Sequence, residues 1–124
     1  MNVYLTVDEV IEIHRNLIEQ FGGSHGIRDV KLLESAIMRP QIGYYKNIIE
    51  EAAAFMESLS NNHCFVDGNK RISFFATDIF LRLNSHYIEC DNEQAYKFLI
   101  GLFNKNIFNY DKLVAWLQEN VKRK

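Results

Sequence analysis

A long run of mostly apolar residues, from about Asn69 to Leu83, most constrains how this chain can fold. Few of its positions can face water, which is typical of a helix buried at the centre of a bundle. The chain holds a single proline, Pro40, so little interrupts the helices that the remaining patterns predict. The run therefore favours an all-α fold built around one central buried helix.

Five further stretches show the spacing of apolar residues that is typical of amphipathic helices. The first opens with a capping box, in which Thr6 precedes Glu9 by three residues, and it ends at Gly22. The sequence thus predicts about six helices in all. The five stretches cover residues 7–21, a segment that starts near Asp29 and ends before Pro40, and residues 50–61, 92–103 and 110–121.

Two segments predict something other than helix. Residues 41–48 carry glycine, asparagine and aromatic residues without a clear period, which indicates an irregular loop or a small flap. Residues 86–90 alternate weakly between apolar and polar side chains, so they predict a short strand, with residues 3–5 as a candidate partner. The predicted fold class is therefore an all-α bundle with a possible minor β element.

Length, charge and composition exclude several classes of protein. With 124 residues the chain predicts one domain, residues 1–124. A net charge of −2 and a pI near 6.1 give no overall attraction for nucleic acid, and residues 122–124 are interpreted as the solvated end of the last helix. Residues 1–6 do not resemble a signal peptide, and no apolar run approaches membrane-spanning length. We therefore expect a cytoplasmic protein without membrane contact or direct nucleic-acid binding.

The cysteines and the isolated histidines suggest neither a disulfide framework nor a metal cluster. Cys64 and Cys90 are too few for a framework and predict reduced thiols, and nothing but adjacent His63 could activate Cys64 as a nucleophile. His14 lies on the apolar face of the first predicted helix and is interpreted as a core histidine. It shows no metal-ligand spacing with the histidines farther along the chain.

The chemistry of the chain is concentrated in nine residues that lead into the central helix: His63-Cys64-Phe65-Val66-Asp67-Gly68-Asn69-Lys70-Arg71. Phosphate binding requires a loop of this kind, because free backbone N–H groups and the positive end of the helix dipole converge at a helix N-terminus. Each residue alone would more often be explained by a turn, a cap or a solvated helix start. Their occurrence together, in order, favours a functional site.

Each residue from Asp67 to Arg71 has a property that suits phosphate binding. Asp67 is a hard oxygen ligand, suited to a Mg²⁺ ion that bridges the phosphates of a nucleotide. Gly68 allows a backbone conformation barred to other residues, and Asn69 tolerates turn geometry and can cap the helix that follows. Lys70 supplies positive charge, and Arg71 adds a fork of donors for phosphate oxygens.

The loop as a whole resembles a known signature. His63 can take a proton from an attacking hydroxyl, because imidazole exchanges protons near neutral pH, and Phe65 is expected to anchor the loop in the core. Together with the five residues from Asp67 to Arg71, they resemble the signature of the Fic/Doc superfamily, specifically its Doc (death-on-curing) toxin branch. The similarity extends over nearly the whole chain and weakens after about Asp91.

The resemblance implies a helical bundle and an enzyme that uses ATP and Mg²⁺. Fic members typically carry Gly-Asn-Gly-Arg with a second arginine three residues later, and they transfer AMP from ATP to a target hydroxyl. Here Lys70 replaces the second glycine, and Phe74 stands where the second arginine would be. Doc-type toxins bind the nucleotide in reverse and phosphorylate a threonine of elongation factor Tu, which blocks translation.

The resemblance also assigns roles to residues. It implies that His63 is the base, that Asp67 holds Mg²⁺, and that the positions after Asp67 bind phosphate. Cys64 stands where the branch usually has proline, which loosens the loop slightly. The implied catalytic residues are His63, Asp67, Lys70 and Arg71, and the implied nucleotide-binding residues are Phe65, Gly68, Asn69, Lys70 and Arg71.

Regulation is implied to come from a second protein. Fic-type proteins are often restrained by a helix with Ser/Thr-x-x-x-Glu followed by Gly or Asn. Ser85 and Glu89 have this spacing, but Cys90 follows and the segment is predicted to be extended. The resemblance therefore implies a Phd-like antitoxin whose disordered C-terminus folds onto the toxin. The alternatives to a kinase are a Fic-type AMP transferase and a catalytically weak module that acts mainly by binding its antitoxin.

Overall fold

The computed structural model describes residues 2–124 as six helices and a two-stranded sheet; Met1, which opens the amino-terminal segment considered above, lies outside the described residues. The predicted fold class, a helical bundle of about six helices with a minor β element, is confirmed. The elements in chain order are α1 Val7–Phe21, α2 Val30–Met38, α3 Ile48–Asn61, α4 Asn69–Leu83, β1 His86–Ile88, α5 Asn92–Asn104, α6 Tyr110–Asn120 and β2 Val121–Arg123.

The centre of the bundle is the pair α3 and α4, which pack on each other more extensively than any other two elements. The predicted central helix, α4, buries the large side chains Ile72, Phe74 and Phe80. Its partner α3 is buried along almost its whole length, from Glu51 to Ser60. The loop between these two helices is therefore held at both ends by the most extensively packed pair of elements.

Side chains cap the start of every α-helix except α4. Thr6 forms the predicted capping box, and Asp29 accepts hydrogen bonds at the start of α2. Asn47 caps α3, which begins two residues earlier than predicted. Gly68 holds the corresponding position of α4 and has no side chain to offer. The first N–H groups of α4 are consequently left free for another partner.

The strand pairing corrects two predictions. β1 pairs antiparallel with β2, with His86 opposite Arg123, and not with residues 3–5. Residues 3–5 form no strand; Val3 instead exchanges backbone hydrogen bonds with the Asn84 side chain. The last helix ends at Asn120, so the interpretation of residues 122–124 as a solvated helix end is wrong: two of them belong to β2, and Lys124 N–H donates to the Ser85 carbonyl.

The segment predicted as an irregular loop or flap, residues 41–48, is irregular between a short turn at Arg39–Gln41 and the start of α3. Its base is fixed, because the Arg39 guanidinium donates to the Tyr45 hydroxyl at 2.8 Å and to the Glu57 carboxylate at 2.7 Å. Its tip is open, with Tyr44 76% exposed.

Both cysteines are free, as predicted. Cys64 is fully buried, and burial raises the pKa of its thiol to about 11. The neutral thiol therefore predominates at physiological pH, which agrees with the expectation that Cys64 is not a nucleophile.

Among the described residues, no helix is both long and apolar enough to cross a membrane.

Candidate active site

The loop between α3 and α4 is held by the segment that precedes α2. Phe65 forms an isolated antiparallel bridge with Ile27, and Val66 N–H donates to the Gly26 carbonyl at 3.0 Å. The backbone N–H groups of Arg28 and Asp29 both donate to the Cys64 carbonyl, at 2.8 and 3.1 Å. Backbone hydrogen bonds thus join the two irregular segments to each other. The periodicity of the sequence does not predict this pairing.

The position of His63 depends on Arg28. The Arg28 guanidinium donates through Nε to the His63 carbonyl at 2.6 Å and through Nη2 to the Asn62 carbonyl at 3.1 Å. His63 adopts a positive φ of 50°, a conformation that turns the chain sharply out of α3. Its imidazole is exposed and lines the cleft described below. The supporting role of Arg28 could not be predicted, since nothing in the sequence indicates a partner 35 residues away.

Phe65 anchors the loop, as predicted, but it does not line the cleft described below, so its implied contact with a nucleotide stays a prediction. Its ring is 1% exposed and stacks on the His14 ring at 3.8 Å between centroids. Its backbone N–H and carbonyl are both bonded to the Asn69 side chain, at 3.0 and 2.9 Å. Phe65 therefore has no group directed into the cleft, and it contributes by holding the loop in place.

The sequence predicts Asn69 as a cap of α4, but Asn69 does not cap this helix. The cap of α4 is Gly68, whose φ of 76° lies in the left-handed region, and Asn69 is the first helical residue. Its side chain is used to close the loop on Phe65. What Asn69 presents to an anion is its backbone N–H, beside those of Lys70 and Arg71 in the first turn of α4.

His14 is the core histidine that the sequence predicts. It is 3% exposed, and its Nε2–H donates to the Asp67 carbonyl at 2.7 Å, since a carbonyl can only accept. The histidine therefore fixes the backbone on which the Asp67 carboxylate is carried.

The Asp67 carboxylate is oriented by two backbone N–H groups. Oδ1 accepts from Gly68 at 2.8 Å, and Oδ2 accepts from Ser24 at 3.0 Å. Within residues 2–124 no three His, Cys, Asp or Glu side chains are grouped to hold a metal ion. A single exposed carboxylate still fits Mg²⁺, because this ion is commonly held by one or two carboxylates together with the phosphates of a substrate and water.

The residues of the signature line one cleft of about 610 Å³ between the loop, the end of α3 and one face of α5. The cleft brings together every predicted site residue except Phe65. Those that line it are His63, Asp67, Gly68, Asn69, Lys70 and Arg71. An imidazole, a carboxylate, a helix N-terminus and two cations thus face a common space, which suits the binding of a phosphate-containing group.

Aromatic rings contact both cations of the signature. The Arg71 guanidinium carbon lies 4.1 Å from the centroid of the Phe21 ring and 4.5 Å from that of Tyr96. The Lys70 ammonium lies 4.8 Å from the centroid of the Phe103 ring. These distances are within the range of cation–π attraction, and the sequence does not indicate that any of the three aromatic residues belongs to the site.

Comparison with known proteins agrees with this geometry. The sequence model of the Fic/DOC family matches residues 4–81, which include α1, α2, α3, the whole loop and all but the last two residues of α4. The chain belongs to the Fic/DOC family. A protein named Toxin Doc from Mycolicibacterium smegmatis is 40% identical over 76 residues, which are 57% of this chain and 58% of that protein. A protein named Protein kinase doc, from Escherichia phage P1, is 29% identical over 85 residues, which are 65% of this chain and 68% of that protein.

The region that the family model matches contains the loop of the site but not α5. The match to the mycobacterial relative spans less than three fifths of that protein. The family region ends at residue 81, so Tyr96 and Phe103, which contact the two cations, lie beyond it. The loop is therefore the family's, whereas the wall of the cleft that α5 forms belongs to the part of the chain that the family model does not describe.

We expect the protein to lose stability as the pH falls below about 6.5 because of His14. Burial lowers the pKa of this imidazole, and the hydrogen bond to the Asp67 carbonyl opposes that effect only in part. At a pH between the lowered pKa of His14 in the folded chain and its pKa of about 6.5 in the unfolded chain, the unfolded chain binds more protons. The stability that is present above about pH 6.5 therefore decreases towards lower pH. Urea denaturation of wild type and His14→Gln between pH 8 and 5 should show the flatter pH dependence in the variant. Parallel curves would contradict this explanation.

Substituting Gly23 is expected to disturb Asp67. A Cβ at this position would lie 2.7 Å from Asp67 Oδ2, whereas one at Gly22 would meet nothing within 4 Å. Both glycines have a positive φ, so each change to alanine carries a conformational cost of about 1–3 kcal/mol. We expect Gly23→Ala to require several-fold more Mg²⁺ for half-maximal activity and Gly22→Ala to leave that requirement unchanged. Equal Mg²⁺ titrations for both variants would contradict the role given to this contact.

Proposed function

We propose that this protein is a Doc-type toxin and an ATP-dependent protein kinase. It would phosphorylate a threonine hydroxyl of elongation factor Tu and thereby inhibit translation. The observation that carries the proposal is the exposed His63 in one cleft with Asp67 and the uncapped N-terminus of α4. The family membership and the names of the two relatives, a toxin and a protein kinase, support it.

In the proposed reaction, His63 accepts the proton of the target hydroxyl as its oxygen bonds to the γ-phosphorus of ATP. The bond between that phosphorus and the β,γ-bridging oxygen breaks, and ADP leaves with the electron pair. The free N–H groups of α4, together with Lys70 and Arg71, bind the phosphate oxygens. A Mg²⁺ ion held by Asp67 would neutralise phosphate charge in this cleft. Positioning and charge neutralisation of this kind account for most of the catalysis of phosphoryl transfer.

Two features favour phosphate transfer over AMP transfer. Lys70 occupies the place of the second glycine of the Fic signature, so its side chain fills space beside the helix N-terminus. Phe74, where a second arginine would stand, is 2% exposed and packs in the core. The cleft therefore receives no second arginine from that position of α4, and a clamp on the far phosphates of a Fic-type nucleotide is missing.

The proposed partners follow from the same identification. The protein would act in the cytoplasm, where elongation factor Tu works, and a Phd-like antitoxin would restrain it. The segment from Ser85 to Glu89 cannot act as an inhibitory helix, because residues 86–88 form β1. This supports restraint by a separate protein.

A cell-free translation system tests the proposal. Added protein should stop synthesis in the presence of Mg²⁺ and ATP, and fresh elongation factor Tu added after the toxin is removed should restore it. Preincubation with a peptide of the antitoxin C-terminus should prevent the arrest. Continued arrest after the factor is replaced would show that another component is the target.

A further inference from the structure

The two cations of the cleft have aromatic rings as neighbours and no acidic partners. Within residues 2–124, neither Lys70 nor Arg71 forms a salt bridge with a carboxylate. Arg71 instead lies against Phe21 and Tyr96, and Lys70 against Phe103. A ring face attracts a cation through its quadrupole and occupies none of its N–H donors.

Tyr96 and Phe103 come from the same face of α5. They are seven residues apart, which is about two helical turns, so both rings project towards the loop. The helix is held to the bundle by Ala95, Leu99 and Leu102, which are buried on its inner side. One helix thus supplies a ring for each cation of the signature.

We propose that Tyr96 and Phe103 are positioning residues for phosphate binding. Their rings hold the Arg71 guanidinium and the Lys70 ammonium over the cleft with their donors directed at an anion. A carboxylate in the same places would hold the cations equally well but would compete with phosphate for them. This inference rests on the proposed function in one respect, namely that the anion is the phosphate chain of Mg-ATP.

Equilibrium binding of Mg-ATP, measured by calorimetry without any target protein, tests the inference. We expect Tyr96→Leu and Phe103→Leu each to bind about three- to tenfold more weakly than wild type, the range expected for loss of one cation–π contact. Tyr96→Phe keeps the ring and should restore most of the affinity. Because the two leucine variants remove rings from different cations, either one tests the inference if the other fails to fold.

Phe98→Leu is the matched control. Phe98 lies on the same helix and is 44% exposed, but it stacks on Trp116 at 5.8 Å and contacts neither cation. It should bind Mg-ATP like wild type. If Phe98→Leu weakened binding as much as Tyr96→Leu, the effect would come from the packing of α5, and the inference would be overturned.

Separate binding measurements with adenosine and with inorganic triphosphate distinguish contacts to the nucleoside from contacts to the phosphate chain of ATP. The positioning role predicts that Tyr96→Leu weakens triphosphate binding and leaves adenosine binding unchanged; a loss confined to adenosine would mean that the ring stacks on the base and would overturn it. Wild-type binding of Mg-ATP together with unchanged binding by both leucine variants would overturn the inference alone. A wild-type protein that binds Mg-ATP and modifies no target would overturn the kinase proposal alone, and one that binds no Mg-ATP would overturn both.

Discussion

His63→Asn should lower the rate of target modification by about 10²- to 10⁴-fold, the usual contribution of a general base. Asparagine tolerates the positive φ that His63 adopts, and the carbonyl that Arg28 holds belongs to the backbone. The variant should therefore fold like the wild type and bind Mg-ATP with similar affinity, because the phosphate-binding groups are untouched. The measurement is the rate of phosphate transfer to elongation factor Tu at saturating Mg-ATP.

His25→Asn is the control for this prediction. His25 is exposed on the segment before α2, and it does not line the cleft. Its replacement should change neither the rate nor the binding. Among the described residues, His63 is the one histidine that lines the cleft. A His63→Asn protein that modified its target at the wild-type rate would therefore contradict a mechanism with a histidine base.

Phe65→Ala should destabilise the protein by about 3–5 kcal/mol, the usual cost of removing a fully buried phenylalanine ring. The change leaves a cavity against His14 and releases the centre of the loop from the core. A loss of this size in a domain of 124 residues should lower the melting temperature by roughly 10 °C or more. Denaturation by urea, followed by the fluorescence of Trp116, measures the effect.

Val66→Ala, at the next position, provides the comparison. Val66 is 57% exposed, so its truncation should alter the free energy of unfolding by at most about 0.5 kcal/mol. Similar stabilities for Phe65→Ala and Val66→Ala would mean that the loop does not depend on its buried ring.

Local sequence features predicted the helices well where the physical cause is local. The capping box at Thr6 and the apolar run of α4 depend on residues a few positions apart, and both elements begin and end where the sequence indicates. The same is true of the glycine stop after α1, because a positive φ at Gly22 is favourable for glycine and costly for other residues.

The incorrect strand prediction depends on a contact between distant segments, whereas the incorrect cap at Asn69 depends on a local turn. The predicted last helix extends to Val121, with residues 122–124 as its solvated end, yet residues 121–123 pair as a strand with residues 86–88, and nothing in either segment specifies that partner. Asparagine is a residue type that commonly caps helices, but in α4 the cap is Gly68, one residue earlier. The Asn69 side chain instead turns back to Phe65.

The site itself was predicted as a set of residues and not as a geometry. The order of His63, Asp67 and the residues up to Arg71 indicated which groups share a loop, and the cleft does bring them together. The support for them could not be predicted, since Arg28 reaches His63 across 35 residues and Tyr96 reaches Arg71 from a different helix.

The measurement that tests the central claim most directly is the intact mass of elongation factor Tu after incubation with this protein and Mg-ATP. The account predicts a gain of one phosphate, absent with His63→Asn and located on a threonine by fragmentation. A gain the size of AMP would contradict it, because the nucleotide would then lie in the Fic orientation despite Lys70 and Phe74.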